Sequence, residues 1–311
     1  MADQRASVVV PFFNEARSLA LLTERVEKVL EAEGFDWEII FVDDGSTDES
    51  FAEVEKLHAK DKRIKCIRFA RNFGSHVAIS AGLEHAFSDI GIVMTSDLEE
   101  PPEAITELLK LWRDGHHVVW GIRARRVNRG LSALASRAYH KLFAWVSEEK
   151  PGQSEIGGGL FLADKRVLDA VRRFRERNRN IIGLLLWSGF KQGRITYEPQ
   201  GRKFGKSKWT LAKKIKLAID TLLGFSNRPV RLMLGAGCAS LTLGAAALVW
   251  AILAANVFAA IACAAATVIG VQLLTVWLLG EYVTRTLDEG RGRPLYVVMD
   301  ALGLERLDSR P

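Results

Sequence analysis

From Leu232 to Leu279 the chain carries no charged residue, whereas everything before it is densely charged. A helix rises about 1.5 Å per residue and a bilayer core is about 30 Å thick, so about 20 apolar residues cross it. The run therefore has room for two spans, Leu232 to Leu253 and Val257 to Leu279, joined by a tight turn at Asn256. A buried helical hairpin in a soluble protein is the alternative, but few soluble cores need so long an uncharged stretch. Arg228 and Arg231 precede the first span, and Arg285, Arg291 and Arg293 follow the second. Basic residues at both outer ends place both ends in the cytoplasm. The expectation is a multi-pass protein of the inner, cytoplasmic membrane, with its large N-terminal domain and both termini on the cytoplasmic side.

The start of the chain does not read as a signal peptide, because Ser7 to Phe13 is a short apolar strand behind a polar lead. Cys66, Cys238 and Cys263 have no metal-ligand spacing, so neither a zinc site nor a disulfide framework is expected. The six histidines have no ligand spacing either. A net charge of +6 suits a protein that rests on anionic lipid or holds phosphates, without choosing between them.

Ahead of the apolar run, short β-rich segments alternate with amphipathic helical ones. Ser7 to Val10, Trp37 to Val42, Ile64 to Phe69, Ile90 to Thr95 and Val118 to Gly121 read as strands. Ala16 to Glu33, Asp48 to Lys60, Ser75 to Phe87 and Pro102 to Arg113 read as helices. Such alternation predicts an α/β fold with a mostly parallel sheet and helices on both faces. Ligands of these sheets bind beyond the carboxyl ends of the strands, where the polar clusters fall: Asn14 and Glu15, then Asp43 and Asp44, then Arg71 and Asn72, then Ser96 to Glu100. Further on come a basic loop (Arg123, Arg125, Arg126, Arg129), a Gly/Glu/Ser-rich segment from Ser147 to Gly159, and a second basic loop, "GRKFGKSKWT". In "LAKKIKLAIDTLLGF", Leu211, Ile215, Ala218, Ile219 and Leu222 recur at helical spacing opposite Lys213, Lys214 and Lys216. A helix of that kind lies in the membrane interface.

The motifs "VVVPFFNEA", "VDDGSTDES", "RNFGSHVAISAGLEHA" and "SDLEEPPE" follow one another in this order. In that order they resemble the family 2 glycosyltransferases, which have the GT-A (Rossmann-like) fold. "GKSKWTLAKKIKLAIDTLLGFSNRPVRL" and "GEYVTRTLDEGRGRPLYVV" resemble the membrane-anchored branch that transfers sugars to polyisoprenyl phosphates, dolichol-phosphate mannose synthases and their bacterial undecaprenyl-phosphate counterparts among them. The resemblance covers nearly the whole chain. It implies a GT-A domain over residues 1–207, an interfacial helix over 208–230, a two-helix transmembrane hairpin over 231–280 and a cytosolic tail over 281–311.

It also implies a site. Pro11, Asn14, Glu15, Asp43, Asp44, Ser96 and Asp97 match positions that hold the nucleotide sugar. Short carboxylates can accept from a base N–H and from ribose hydroxyls; Asp44 and Asp48 also suit a turn and a helix cap. Asp97 and Glu99 are the expected ligands of Mg²⁺ or Mn²⁺, which take oxygen donors and complete their shells with water and substrate phosphates. Arg123, Arg126, Arg137, Arg202 and Lys208 match the acceptor-phosphate positions, guanidinium forks and an ammonium both suiting phosphate. Asp97, Glu99 and Arg126 are the expected catalytic group, and Glu100 is expected only to cap the helix behind Pro101 and Pro102.

Two positions depart from the family pattern. The first acid of its Asp-x-Asp is Thr95 here, and a further carboxylate, the family's proposed base, is replaced by Gly159. A phosphate acceptor has a second pKa of about 6 and is mostly ionised at neutral pH, so placement matters to it more than deprotonation. The expected function is inverting transfer of a sugar from a UDP- or GDP-sugar to a polyisoprenyl phosphate, undecaprenyl phosphate in a bacterium, with self-association among relatives of this kind. The alternative is a catalytically silent membrane-anchored scaffold.

Overall fold

The computed structural model describes residues 4–124, 159–174, 176, 180–200, 228–254 and 257–304. It divides into two units. One holds residues 1–133, 151–209 and 294–311, and the other 134–150 and 210–293.

The first unit is built on an eight-stranded sheet. Its strands are β1 (Arg5–Phe12), β2 (Asp36–Asp43), β3 (Ile64–Phe69), β4 (Ile90–Val93), β5 (Val118–Arg123), β6 (Phe161–Asp164), β7 (Gln192–Tyr197) and β8 (Val298–Leu302). Their spatial order is β7-β5-β6-β4-β1-β2-β3-β8. β1 pairs in parallel with both β2 and β4, β2 with β3, and β5 with β7, while β6 and β8 run antiparallel to their neighbours. The chain thus builds outward from β1 to β3, then returns to β4 on the other side of β1. The carboxyl ends of β1 and β4 flank the place where strand order reverses, and α/β sheets open a ligand crevice at such a place.

Alternate residues of each central strand feed opposite faces. Val8, Val10, Ile39, Phe41 and Ile92 pack with α1 (Ala16–Ala32), α2 (Ser50–Lys60) and α4 (Ala104–Arg113). Val9, Ile40, Val42, Ile67 and Val93 pack with α3 (Ser75–Glu84), α5 (Lys165–Val171) and α6 (Ile181–Trp187). Because both faces are covered, these strands read as near-continuous apolar runs. α3 lies tight on the sheet, since a Cβ at Gly82 would come 2.2 Å from Val9 Cγ1.

The expected strands and helices are present, with shifted ends. β4 stops at Val93 rather than Thr95, α2 starts at Ser50 rather than Asp48, α3 stops at Glu84, and α4 starts at Ala104. β6, β7 and β8 are additions to that reading. β8 lies within the stretch expected as a cytosolic tail over 281–311: this late segment pairs with β3, Cys66 opposite Leu302 and Arg68 opposite Asp300.

The second unit contains two long helices, α7 (Arg228–Ala254) and α8 (Val257–Gly290), which pack on each other. Leu241, Leu243, Trp250, Leu253, Phe258, Leu273, Leu274 and Trp277 are exposed on them. Apolar exposure on this scale marks a surface meant for lipid or another protein. Among the described residues one stretch, Ala264–Gly290, is long and apolar enough to cross a membrane, and Gly235–Ala247 is a shorter apolar piece. The expected turn at Asn256 and nearly all of the expected interfacial helix lie outside the described residues.

The "DDGS" turn that closes β2 depends on its glycine. Gly45 has φ +75°, and a Cβ there would lie 2.6 Å from the carbonyl carbon of Arg71 and 2.9 Å from the nitrogen of Asn72. Gly45→Ala should therefore destabilise the first unit by roughly 2–4 kcal/mol, from left-handed strain plus overlap with backbone that cannot turn aside. Thermal unfolding checks this, and an unchanged melting temperature would contradict it.

Candidate active site

Three strand ends supply the site, and each is fixed by bonds that its own sequence dictates. After β1, Asn14 takes a positive φ of 54°, which asparagine tolerates better than most residues. Its backbone N–H donates to Ser46 Oγ at 2.9 Å, and its side-chain oxygen accepts from the Thr47 N–H at 2.8 Å. Glu15 N–H donates to Ser50 Oγ at 2.8 Å. Asn14 and Glu15 thus pin the β1 exit to the "GSTDES" turn after β2. Pro11 sits in β1 opposite Val42.

At the end of β2 the two aspartates part company. Asp44 accepts from the Phe73 N–H at 2.6 Å and the Gly74 N–H at 3.0 Å, so its carboxylate anchors the entry to α3. Anions are stabilising at a helix N-terminus. Asp48 caps the start of α2 by accepting from the Ser50 N–H at 3.0 Å. Asp43 is fully buried; its Oδ1 accepts from the Ser46 N–H at 2.7 Å, while its Oδ2 has no hydrogen-bond partner. Burial pushes the Asp43 carboxyl above its ordinary range, against the Ser46 bonds and the nearby Arg68 charge, which pull it down. Among these acids, Asp43 carries a buried oxygen, Oδ2, that no hydrogen bond satisfies.

The loop after β4 holds the remaining acids. Ser96 and Asp97 are buried, and Leu98 is wholly buried at a positive φ of 61°. A bulky side chain held there costs about 1–3 kcal/mol and persists only where packing over-determines it; Leu98 is locked into the core against the α1 and α4 face. Asp97 Oδ1 accepts from the Thr95 hydroxyl at 2.8 Å and the Glu99 N–H at 3.1 Å. The strained residue is thereby flanked by a closed set of hydrogen bonds.

Glu100 corrects the expectation that it merely caps a helix. Position N-cap of α4 belongs to Glu103, which makes no side-chain cap bond. Glu100 is completely buried and takes 2.7 Å from Arg123 Nη2, 3.3 Å from the Tyr197 hydroxyl and a short contact from the Thr95 hydroxyl. Arg123 reaches Glu99 Oε2 through its other terminal nitrogen at 2.7 Å and the Tyr197 hydroxyl through Nε at 3.2 Å. One guanidinium therefore joins the acids after β4 to the ends of β5 and β7. The backbone of Gly159 closes against the same group, because a Cβ there would stand 2.5 Å from Glu100 Oε1. Thr95 and Gly159, the two departures from the family pattern, both touch Glu100.

Burial raises the Glu100 carboxyl, with Arg123 opposing. The Arg123 guanidinium, though burial opposes it, is held further toward its charged form by Glu100 and Tyr197. Burial and the neighbouring Glu100 charge push up the Tyr197 phenol. A hydroxyl has one proton, so Thr95 donates to one of these two carboxylates, Asp97 or Glu100, at a time.

Among the described residues no three His, Cys, Asp or Glu side chains form a metal cage. The donors after β4 are oxygens alone: Asp97, Glu99 and the Thr95 hydroxyl. That set fits Mg²⁺ or Mn²⁺ in a shell completed by water and substrate phosphate, and suits a softer metal poorly. Of the expected acceptor cations, Arg123 is engaged by Glu99 and Glu100, while Arg126, Arg137, Arg202 and Lys208 lie outside the described residues. Reading the sequence missed Glu100, Tyr197 and Arg68. The doubled acid at 99–100 and the alternation in "RITY" ahead of Tyr197 were the available signals.

An acid whose pKa rises on folding contributes stability below its unfolded pKa and loses it as pH climbs through the folded value. Glu100→Gln mimics the neutral form. The melting-temperature gap between variant and native chain should shift in the variant's favour as pH rises from about 4 to about 8. A gap that does not move with pH would contradict the burial-dominated environment.

The family model for Glycosyl transferase family 2 matches residues 7–172. An uncharacterized glycosyltransferase of Bacillus subtilis, YkcC, is 32% identical over 96% of this chain and 94% of its own. The bactoprenol glucosyl transferase of Shigella phage SfV is 30% identical over 94% of this chain and 98% of its own. In fold, the chain is similar to the glucosyl-3-phosphoglycerate synthase of Mycobacterium tuberculosis crystallised with Mn²⁺ and UDP-glucose. That likeness has a TM-score of 0.53 at 17% identity, over 72% of this chain and 80% of the other. A family match across more than half the chain, reinforced by relatives aligned nearly end to end, establishes that this protein belongs to glycosyl transferase family 2.

Proposed function

We propose that the protein transfers a sugar, with inversion, from a nucleotide sugar to a polyisoprenyl phosphate at the cytoplasmic face of a membrane. One observation carries this reading: buried acids stand at the ends of β2 and β4, on either side of β1, where strand order reverses. Relatives named bactoprenol glucosyl transferase that align along 94% of the chain support the lipid acceptor. The fold neighbour crystallised with Mn²⁺ and UDP-glucose supports the donor class.

In this reading Asp43 accepts from the nucleotide's base or ribose through the oxygen its own turn leaves unbonded. Asp97 and Glu99 hold a divalent cation, which supplies charge neutralisation for the departing diphosphate. Arg123 keeps Glu99 and Glu100 in register, so the acids after β4 are pre-placed rather than recruited on binding. An oxygen of the acceptor phosphate forms the new bond to the anomeric carbon as the bond to the diphosphate oxygen breaks. That nucleophile arrives ionised, and the chain needs no base at residue 159 to make it so. α7 and α8 enter the membrane as a two-span hairpin, the N-terminal domain works at the cytoplasmic side, and Arg126, Arg137, Arg202 and Lys208 are the residues assigned to the acceptor phosphate. Confinement there raises the effective concentration of a scarce lipid substrate.

Incubation with undecaprenyl phosphate, Mg²⁺ or Mn²⁺ and a panel of labelled UDP- and GDP-sugars tests the reading. The native chain should form a lipid-linked sugar, and Asp97→Ala should lose at least about a hundredfold in rate. No product with any donor would favour a silent scaffold; undiminished transfer by Asp97→Ala would contradict the assignment of that residue.

A further inference from the structure

The last strand of the chain, β8, is linked to Asp43 at the end of β2 through the intervening strand β3. Asp43 on β2 is opposite Arg68 on β3, and Arg68 is opposite Asp300 on β8. The three form an acid–base–acid row across three adjacent strands. Arg68 Nη1 lies 3.3 Å from Asp300 Oδ2, and the guanidinium sits over the Phe51 ring at 4.5 Å. Its Nε lies 3.6 Å from Asp43 Oδ2, too far for a hydrogen bond, and both of these buried atoms lack any hydrogen-bond partner.

We propose that Asp300 is a positioning residue for the nucleotide: it holds Arg68 back, so that Asp43 keeps one acceptor oxygen open for the donor substrate. The proposal rests on the reading of Asp43 as a nucleotide contact. An arginine and a buried carboxylate this close would ordinarily close to a direct charge-assisted bond. The pull of Asp300 from the opposite side, together with the stack on Phe51, keeps Arg68 short of that. Its charge still favours the ionised Asp43, but its N–H does not consume the oxygen. The strand that does this follows the long apolar helices in the chain, so the donor pocket is complete only once that late segment has returned to the sheet.

Binding of UDP and GDP to the full chain, measured by calorimetry, separates the outcomes. Asp300→Asn should weaken the preferred nucleotide about five- to tenfold, as Arg68 closes on Asp43. It should raise KM for the sugar donor with kcat retained and leave the melting temperature unchanged, and Asp300→Glu should restore binding. In an Arg68→Met background Asp300→Asn should have no further effect, because the residue it acts through is gone. Unchanged affinity in Asp300→Asn, or an equal loss with and without Arg68, would overturn the proposal while leaving the donor reading intact. Should the native chain bind neither nucleotide, the donor reading fails and this inference falls with it.

Discussion

The arrangement at the strand ends depends on one buried ion pair, Glu100 with Arg123. A carboxylate with no exposed surface costs several kcal/mol unless it is paired and hydrogen-bonded. Here the compensation comes from Arg123, Tyr197 and Thr95, each from a different part of the chain. Removing any one leaves a polar group stranded, so β5, β7 and the loop after β4 are held as a unit. The same guanidinium grips Glu99, which places a candidate cation ligand by a bond to protein rather than by chance.

Around that pair the backbone is strained where function is expected. The two non-glycine residues with positive φ among those described, Asn14 and Leu98, follow β1 and β4, the strands that flank the reversal in strand order. Asparagine carries its strain with side-chain bonds to the turn after β2; leucine carries its strain by burial in the core. Neither conformation is one that isolated sequence would choose, and packing elsewhere sustains both. The departures at Thr95 and Gly159 take on a physical sense in this setting. A glycine leaves room for Glu100, and a neutral hydroxyl donates to a neighbouring carboxylate where a third carboxylate would repel both.

Much of this was legible in the sequence, and the exceptions have physical causes. The alternation of apolar runs and amphipathic stretches marked the central strands and the helices around them, because period-2 and period-3.6 patterns are imposed directly by burial. β6, β7 and β8 escaped because they are short strands whose partners lie far away in the chain, and register of that kind leaves little local pattern. Asp43, Asp97 and Glu99 stood out in the sequence as acids at strand ends, and the structure places them at the end of β2 and in the loop after β4. The link between Glu100 and Tyr197 did not, since a buried hydrogen bond between residues almost a hundred positions apart has no signature in either segment. Asp44 suited both binding and capping on sequence grounds, and the structure shows it anchoring α3, with Asp48 capping α2.

The central claim is that two carboxylates after β4 form half of a cation site whose other half is the substrate's diphosphate. Two protein carboxylates alone hold Mn²⁺ weakly, and phosphate oxygens complete the shell. Electron paramagnetic resonance of Mn²⁺ titrated into the full chain, with and without the nucleoside diphosphate, reads this directly. Mn²⁺ affinity should rise at least about tenfold when the nucleotide is present, and by linkage the nucleotide's affinity should rise by the same factor with Mn²⁺. Equal Mn²⁺ binding in the two conditions, or none in either, would contradict the account.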